Sequence, residues 1–100
     1  MAKYQIMYWK DIPNVVKVWD DQSEKKVQLS SRFALAIDAA AVNEAEVEAD
    51  VYLDAWHWSE VAERPGEVAE VVQMLVDELE AAWPRTRLAA RVRREMLPEE

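Results

Sequence analysis

The first part of the chain alternates between apolar and polar positions with a period of two. Residues 3–9 are KYQIMYW and residues 14–19 are NVVKVW. Aromatic and β-branched residues at this period are typical of β-strands. Residues 26–29 predict a third strand, and the polar residues 20–25 before it predict a turn, so the second and third strands should form an antiparallel hairpin. Pro13 cannot donate to a strand ladder, and we expect it to separate the first two strands.

The period then changes to that of a helix. Ser30 or Ser31 can cap a helix that fades near Asn43. Its apolar positions follow helical spacing and form one stripe: Phe33, Ala36, Ile37, Ala40 and Ala41. Alanine favours a helix and lets it approach a sheet closely.

Residues 67–83 show the same spacing over a longer stretch. Glu67 and Glu70 lie in the first turn, where the helix dipole favours anions, and Pro84 ends the helix. The apolar stripe contains eight positions: Val68, Val71, Val72, Leu75, Val76, Leu79, Ala82 and Trp83.

Between these two helices the pattern is mixed. Residues 44–50 alternate glutamate and aspartate with alanine and valine, but glutamate and alanine are poor strand formers. We therefore expect a loop or a short helical turn there. Residues 51–59 predict a fourth strand, and residues 64–66 (Arg-Pro-Gly) predict the break after it.

The last segment predicts a short helix that Thr86 caps, with Leu88, Val92 and Met96 on one face and arginines on the others. The element order is β-β-β-α-β-α followed by this helix. The simplest architecture is a two-layer α+β fold with a mostly antiparallel four-stranded sheet and both long helices on one face. We expect a single domain over residues 1–84 and an arginine-rich helical extension over residues 85–100.

Charge is segregated along the chain. The net charge is −8, with a balance of +2 over residues 1–37, −12 over residues 38–80 and +2 over residues 81–100. An acidic middle argues against a nucleic-acid interface. It is either a solvated surface that maintains solubility or an acidic face for a basic partner.

The composition excludes several kinds of site. The chain has no cysteine and one glycine, which excludes disulfides, cysteine zinc sites and glycine-rich phosphate loops. No apolar run has the length of a signal peptide core or a membrane span. We expect a cytoplasmic protein that does not enter a membrane.

His57 is the single histidine, in the sequence DAWHW. On a strand, Asp54 and Glu60 would lie on the face opposite His57; on a helix, both could approach it. The strand is favoured, and one histidine without cysteine is too few ligands for a transition metal. We expect no metal, no cofactor and no catalytic residue.

Tryptophan is abundant, with five residues in the chain. Trp83 belongs to the stripe of the long helix and is a candidate for the core. The other four are either further core residues or an exposed aromatic binding surface: Trp9, Trp19, Trp56 and Trp58.

The arginines near the C-terminus also leave two interpretations. They are either a solvated helix face or cations that contact an acidic segment of the same chain or of a second copy. Arg91, Arg93 and Arg94 could reach residues 44–50 of a second copy. An uncovered tryptophan face and these charges together predict a homodimer.

Four segments resemble one protein family: YQIMYWKDIP, RFALAIDAAA, YLDAWHW and ERPGEVAEVV. They are similar to the short bacterial proteins of the virulence factor family, and the resemblance covers residues 3–83. A similar segment occurs within longer conserved virulence factor proteins. The family has no established reaction, so the resemblance implies no catalytic residue.

The resemblance and the residues together predict a non-enzymatic protein-interaction or accessory module. The alternative rests on the resemblance, because genes of such proteins tend to lie beside genes for corrinoid and folate one-carbon methyl transfer. This implies a small cofactor-binding or enzymatic accessory of that chemistry, with Trp56 and Trp58 stacking on a flat ligand. A pocket lined by both rings would favour the alternative, and a broad flat patch would favour the interaction module.

Overall fold

A computed structural model of the protein describes residues 1–43 and 53–94. The architecture is α+β, as predicted, with a mostly antiparallel sheet and a short C-terminal helix. In chain order the elements are β1 (Ala2–Trp9), β2 (Ile12–Trp19), β3 (Glu24–Gln28), α1 (Ser31–Asn43), β4 (Trp56–Trp58), β5 (Ala62–Arg64), α2 (Val68–Ala82) and α3 (Arg85–Arg94).

The sheet has five described strands instead of the four predicted. The order is β3-β2-β1-β4, and β5 also pairs with β1, so β4 and β5 share one edge. The predicted strand over residues 51–59 was too long, since Leu53 and Asp54 are helical. The prediction for residues 44–50 and the beginning of that strand lie outside the described residues.

Ser59 explains why one edge holds two short strands. Its backbone N–H donates to the Ile6 carbonyl at 2.8 Å. Its hydroxyl then accepts from the Ile6 N–H at 2.9 Å, and its carbonyl accepts from the Gln5 side chain at 2.9 Å. A side-chain oxygen thus satisfies the β1 backbone between the two strands, so the ladder can break there without leaving a buried donor unpaired.

Strand β1 ends at Trp9 as predicted, but β2 begins at Ile12, two residues before the predicted Asn14. Lys10 and Asp11 form the turn, and Lys10 has a φ of 53°. Pro13 does not separate the strands, because Met7 pairs with Val15 and Tyr8 pairs with Pro13. The extra residue, Asn14, makes a bulge, which is a position where a strand tolerates proline.

The core lies between the sheet and the two long helices. Phe33 and Ile37 of α1 and Val71 and Leu75 of α2 are buried in one cluster with strand residues such as Val16. Both helices contact β2. Burying each such side chain contributes roughly 1.5–3 kcal/mol relative to exposure. Leu88 of α3 and Trp83, the predicted core tryptophan, complete this cluster.

The ends of α1 and α2 stabilise each other. Helix α2 begins with a capping box between Glu67 and Glu70. At its other end, Arg32 donates to the carbonyls of Glu80 and Trp83. The Glu80 carboxylate in turn accepts from the backbone N–H and the hydroxyl of Ser30. Each helix therefore supplies a charged group to the unsatisfied backbone at the end of the other.

Helix α3 begins two residues earlier than a helix capped by Thr86 would. It starts at Arg85, so Thr86 lies inside the helix and the prediction that it is the cap was wrong. The helix packs against α1. Whether residues 1–84 form a domain without it stays a prediction. Among the described helices, none is long and apolar enough to cross a membrane.

Candidate functional site

One face of the sheet lies away from the core and carries both aromatic and cationic side chains. Strand alternation directs its residues to the side opposite Ile6, Val16 and Val18. The same side also carries Lys3, Gln5, Glu24, Gln28 and Glu63 around its margin. We call its centre the lysine–tryptophan face, whose members are Met7, Val15, Lys17, Trp19, Lys26 and Trp58. All of them are half-buried except Lys26, which is exposed.

The two lysines lie over the indole rings. Lys17 Nζ is 5.3 Å from the centroid of the Trp19 ring and 5.9 Å from that of Trp58. Lys26 Nζ is also 5.9 Å from the Trp58 ring. These are cation–π distances, and the lysine stems cover part of each indole while the ammonium groups stay in water.

Lys17 and Lys26 are also direct partners in the register of β2 and β3. Like charges directly opposite each other destabilise a sheet. Glu24 also forms an ion pair with Lys17. The distance from its carboxylate oxygen to Lys17 Nζ is 3.9 Å, and the Glu24 side chain is exposed. Such an exposed pair offsets little of the repulsion. A binding partner could therefore place a carboxylate between the two lysines and an apolar group on the neighbouring indole rings.

The four candidate tryptophans do not share this face. Trp19 and Trp58 lie on it. Trp9 is completely buried in the core cluster and pairs with Ile12 in the sheet. Trp56 is half-buried and packs against the core. A binding role for any of the four stays a prediction, and for Trp9 the burial leaves no ring surface to offer.

The sequence interpretation missed the two lysines as functional candidates. The period of two in β2 does place Lys17 on the side of Trp19. The position of Lys26 beside Trp58, however, depends on pairing between distant strands. A local pattern contains no such signal.

His57 lies on the other side of β4. It is exposed, stacks on Tyr8 with ring centroids 5.8 Å apart, and has Nδ1 3.2 Å from the Ala55 carbonyl oxygen. Burial, with Tyr4 as the second cause, raises the pKa of the Tyr8 phenol. Within residues 1–43 and 53–94, no three histidine or carboxylate side chains cluster as metal ligands.

The arginines predicted to contact a second copy have different environments. Arg91 is buried, and its Nε donates to Asp11 Oδ1 of the same chain at 2.7 Å. This contact lies within the chain, and a contact of Arg91 with a second copy stays a prediction. Arg93 is exposed. The Arg94 side chain and the acidic residues 44–50 lie outside the described part.

Comparison with known proteins gives one result at the level of the family. No match to the chain is found among curated proteins or among solved structures. The sequence model of a family described as "Virulence factor" matches residues 7–92. This range extends beyond the resembling segments and includes most of α3. Because the match covers most of the chain, the protein belongs to the virulence factor family.

Proposed function

We propose that the protein is a non-enzymatic interaction module whose lysine–tryptophan face docks an acidic protein surface. The observation that carries this proposal is the position of Lys17 and Lys26. They lie opposite each other in the sheet, and both lie over the ring of Trp58.

The energetics of the face favour a protein partner. A half-buried indole flanked by charges resembles the aromatic centre and polar rim of protein interfaces. A carboxylate placed between the two ammonium groups would relieve their repulsion, and an apolar side chain beside it would cover Trp19 and Trp58. Because the whole chain has a net charge of −8, the attraction is local, and we expect affinity to depend on Trp58 as well as on charge.

The alternative is a cofactor-binding accessory of corrinoid or folate methyl transfer, with a flat ligand stacked on tryptophan. It requires Trp56 and Trp58 to line one pocket. Trp56 is half-buried against the core cluster, whereas Trp58 lies beside Lys17 and Lys26. An open sheet face supports the interaction module more than a ligand pocket.

Strand β3 offers a test position and a matched control position, because it contains two neighbouring lysines. Lys26 lies on the lysine–tryptophan face, and Lys25 points to the other side of β3. Tagged wild-type protein and the variants Lys26→Glu, Trp58→Ser and Lys25→Glu are used for pull-down from the native host, followed by mass spectrometry. We expect the same partner with wild type and Lys25→Glu and its loss with Lys26→Glu and Trp58→Ser. Recovery of the same proteins with all four would contradict the proposal.

A further inference from the structure

Helices α1 and α3 enclose a groove on a different surface from the lysine–tryptophan face. Its cavity volume is about 430 Å³. Small side chains such as Ala36, Ala39 and Ala89 line it together with Leu88, and Leu35 at the rim is 67% exposed. An apolar groove between two helices is the shape that a third helix fills.

Among the residues that the structure describes, the charged ones that line the groove are arginines. They are Arg32, Arg85 and Arg93, and no described carboxylate lines it. Arg32 is held by Glu80 at 2.8 Å. Arg85 and Arg93 are exposed and form no ion pair with the described residues. They are eight positions apart on α3, which is about 12 Å along a helix.

We propose that this groove docks an acidic amphipathic α-helix of another protein. Small apolar residues of that helix would pack on the alanines and cover Leu35. Carboxylates about two turns apart would meet Arg85 and Arg93. In a chain with a net charge of −8, an apolar groove whose described charged lining residues are arginines selects an acidic segment and disfavours a basic one.

A second copy fits the groove less well. Among its described helices the most acidic one is α2, within which Met74 is the large apolar side chain that is exposed. The carboxylate of Glu78 is already held by Arg64 at 2.6 Å, and that of Asp77 accepts from Gln73. This face of α2 therefore offers too little apolar area and too few unbound carboxylates for the groove.

Three synthetic helical peptides with a fluorescent label test the proposal by anisotropy. The first has a leucine and alanine stripe flanked by glutamates, the second has the same stripe flanked by lysines, and the third keeps the glutamates but has serine in the stripe. We expect wild-type protein to bind the first peptide about tenfold or more tightly than either of the others. The Arg85→Glu, Arg93→Glu double variant should prefer the lysine peptide, and Lys25→Glu should behave as wild type.

A second variant tests the groove itself. Ala39 is exposed, so Ala39→Trp should fill the groove without changing the melting temperature, and binding of the first peptide should weaken about tenfold or more. Equal binding of the serine peptide, or unchanged binding to Ala39→Trp, would overturn the proposal. So would a wild-type dimer that Ala39→Trp dissociates in light scattering, because the occupant would then be a second copy. None of these variants changes the lysine–tryptophan face, so the two proposals fail or succeed separately.

Discussion

Arg91 near the end of α3 donates from Nε to Asp11 Oδ1 in the first hairpin turn at 2.7 Å, although the residues are 80 positions apart. The Arg91 side chain is 5% exposed and that of Asp11 is 50% exposed. A buried guanidinium needs such a partner, because removing a charge from water without one is costly. The pair therefore attaches helix α3 to the sheet at the turn between β1 and β2, which Lys10 and Asp11 form.

Asp11→Ala should destabilise the fold, since it leaves Arg91 without this carboxylate. We expect a loss of about 1–2 kcal/mol in the free energy of unfolding, below the value for a fully buried pair because Asp11 is half exposed. Urea unfolding measures it. Asp21→Ala is the matched control in an exposed turn and should stay within about 0.5 kcal/mol of wild type. Equal effects of the two substitutions would show that the Arg91 contact contributes nothing specific.

Helix α2 provides a second pair of neighbouring positions. Leu75 is 3% exposed, whereas Met74 is 40% exposed. Leu75→Ala should cost about 2–5 kcal/mol because it leaves a cavity in the core. Met74→Ala should reduce the free energy of unfolding far less. Thermal unfolding compares the melting temperatures of the two variants. An unchanged melting temperature for Leu75→Ala would mean that the stripe does not face the core.

The pair of Glu78 and Arg64 predicts a pH dependence. Hydrogen bonds from Arg64 hold the pKa of Glu78 below its ordinary value of 4.5. The folded state thus favours the carboxylate, and the stability from the pair is present above pH 4.5 and is lost as the pH falls through the lowered pKa. Urea unfolding between about pH 7 and about pH 3 measures this. The free energies of unfolding of wild type and Glu78→Gln should differ above pH 4.5 and converge as the pH falls through the lowered pKa.

Both groups in this pair are near the surface, so salt supplies the control. At ~0.5 M salt the difference between wild type and Glu78→Gln should shrink, because exposed charges are screened. A difference that stays constant across the whole pH range would show that packing of Glu78, and not its charge, stabilises the fold.

Periodicity in the sequence was sufficient for the long elements. The stripe that ends at Trp83 predicted α2 to within about one residue at each end, and the alternation in residues 3–9 predicted β1. These signals are local, because each helix or strand must present its own apolar side to the core.

The features that were missed depend on distant contacts. The alternation in β1 predicts Trp9 on the side opposite the buried Ile6, yet Trp9 is itself completely buried. The bulge at Asn14 lies in the neighbouring strand, and nothing near Trp9 in the sequence indicates it. Arg91 contacts Asp11, which is 80 positions away, and the local pattern of arginines does not indicate that partner. The lysine–tryptophan face requires pairing between β1 and β4, so Trp58 could be placed on a face but its cationic neighbours could not.

His57 has a smaller predicted role. It is exposed, and its main contact is the stack on Tyr8. His57→Ala should change the free energy of unfolding by no more than about 1 kcal/mol, the upper range for an exposed aromatic contact. Metal analysis of the purified protein should find no stoichiometric zinc, nickel or iron. A metal that is stoichiometric in wild type and lost in His57→Ala would contradict this prediction.

The homodimer stays a prediction, and the structure sharpens its test. A two-fold axis through the lysine–tryptophan face would cover Trp19 and Trp58, but it would also bring Lys17 and Lys26 of both copies together. We expect a weak dimer in the absence of a partner, and raising the salt from ~0.1 M to ~0.5 M should strengthen it by screening this repulsion. Lys26→Glu should give the stronger dimer at low salt, since each new carboxylate would meet Lys17 of the other copy.

Light scattering measures the mass under each condition, with Lys25→Glu as the control. A strict monomer at high protein concentration in both salts would exclude this dimer, and a dimer that salt weakens would point to the arginine side of the molecule, where Arg93 is exposed.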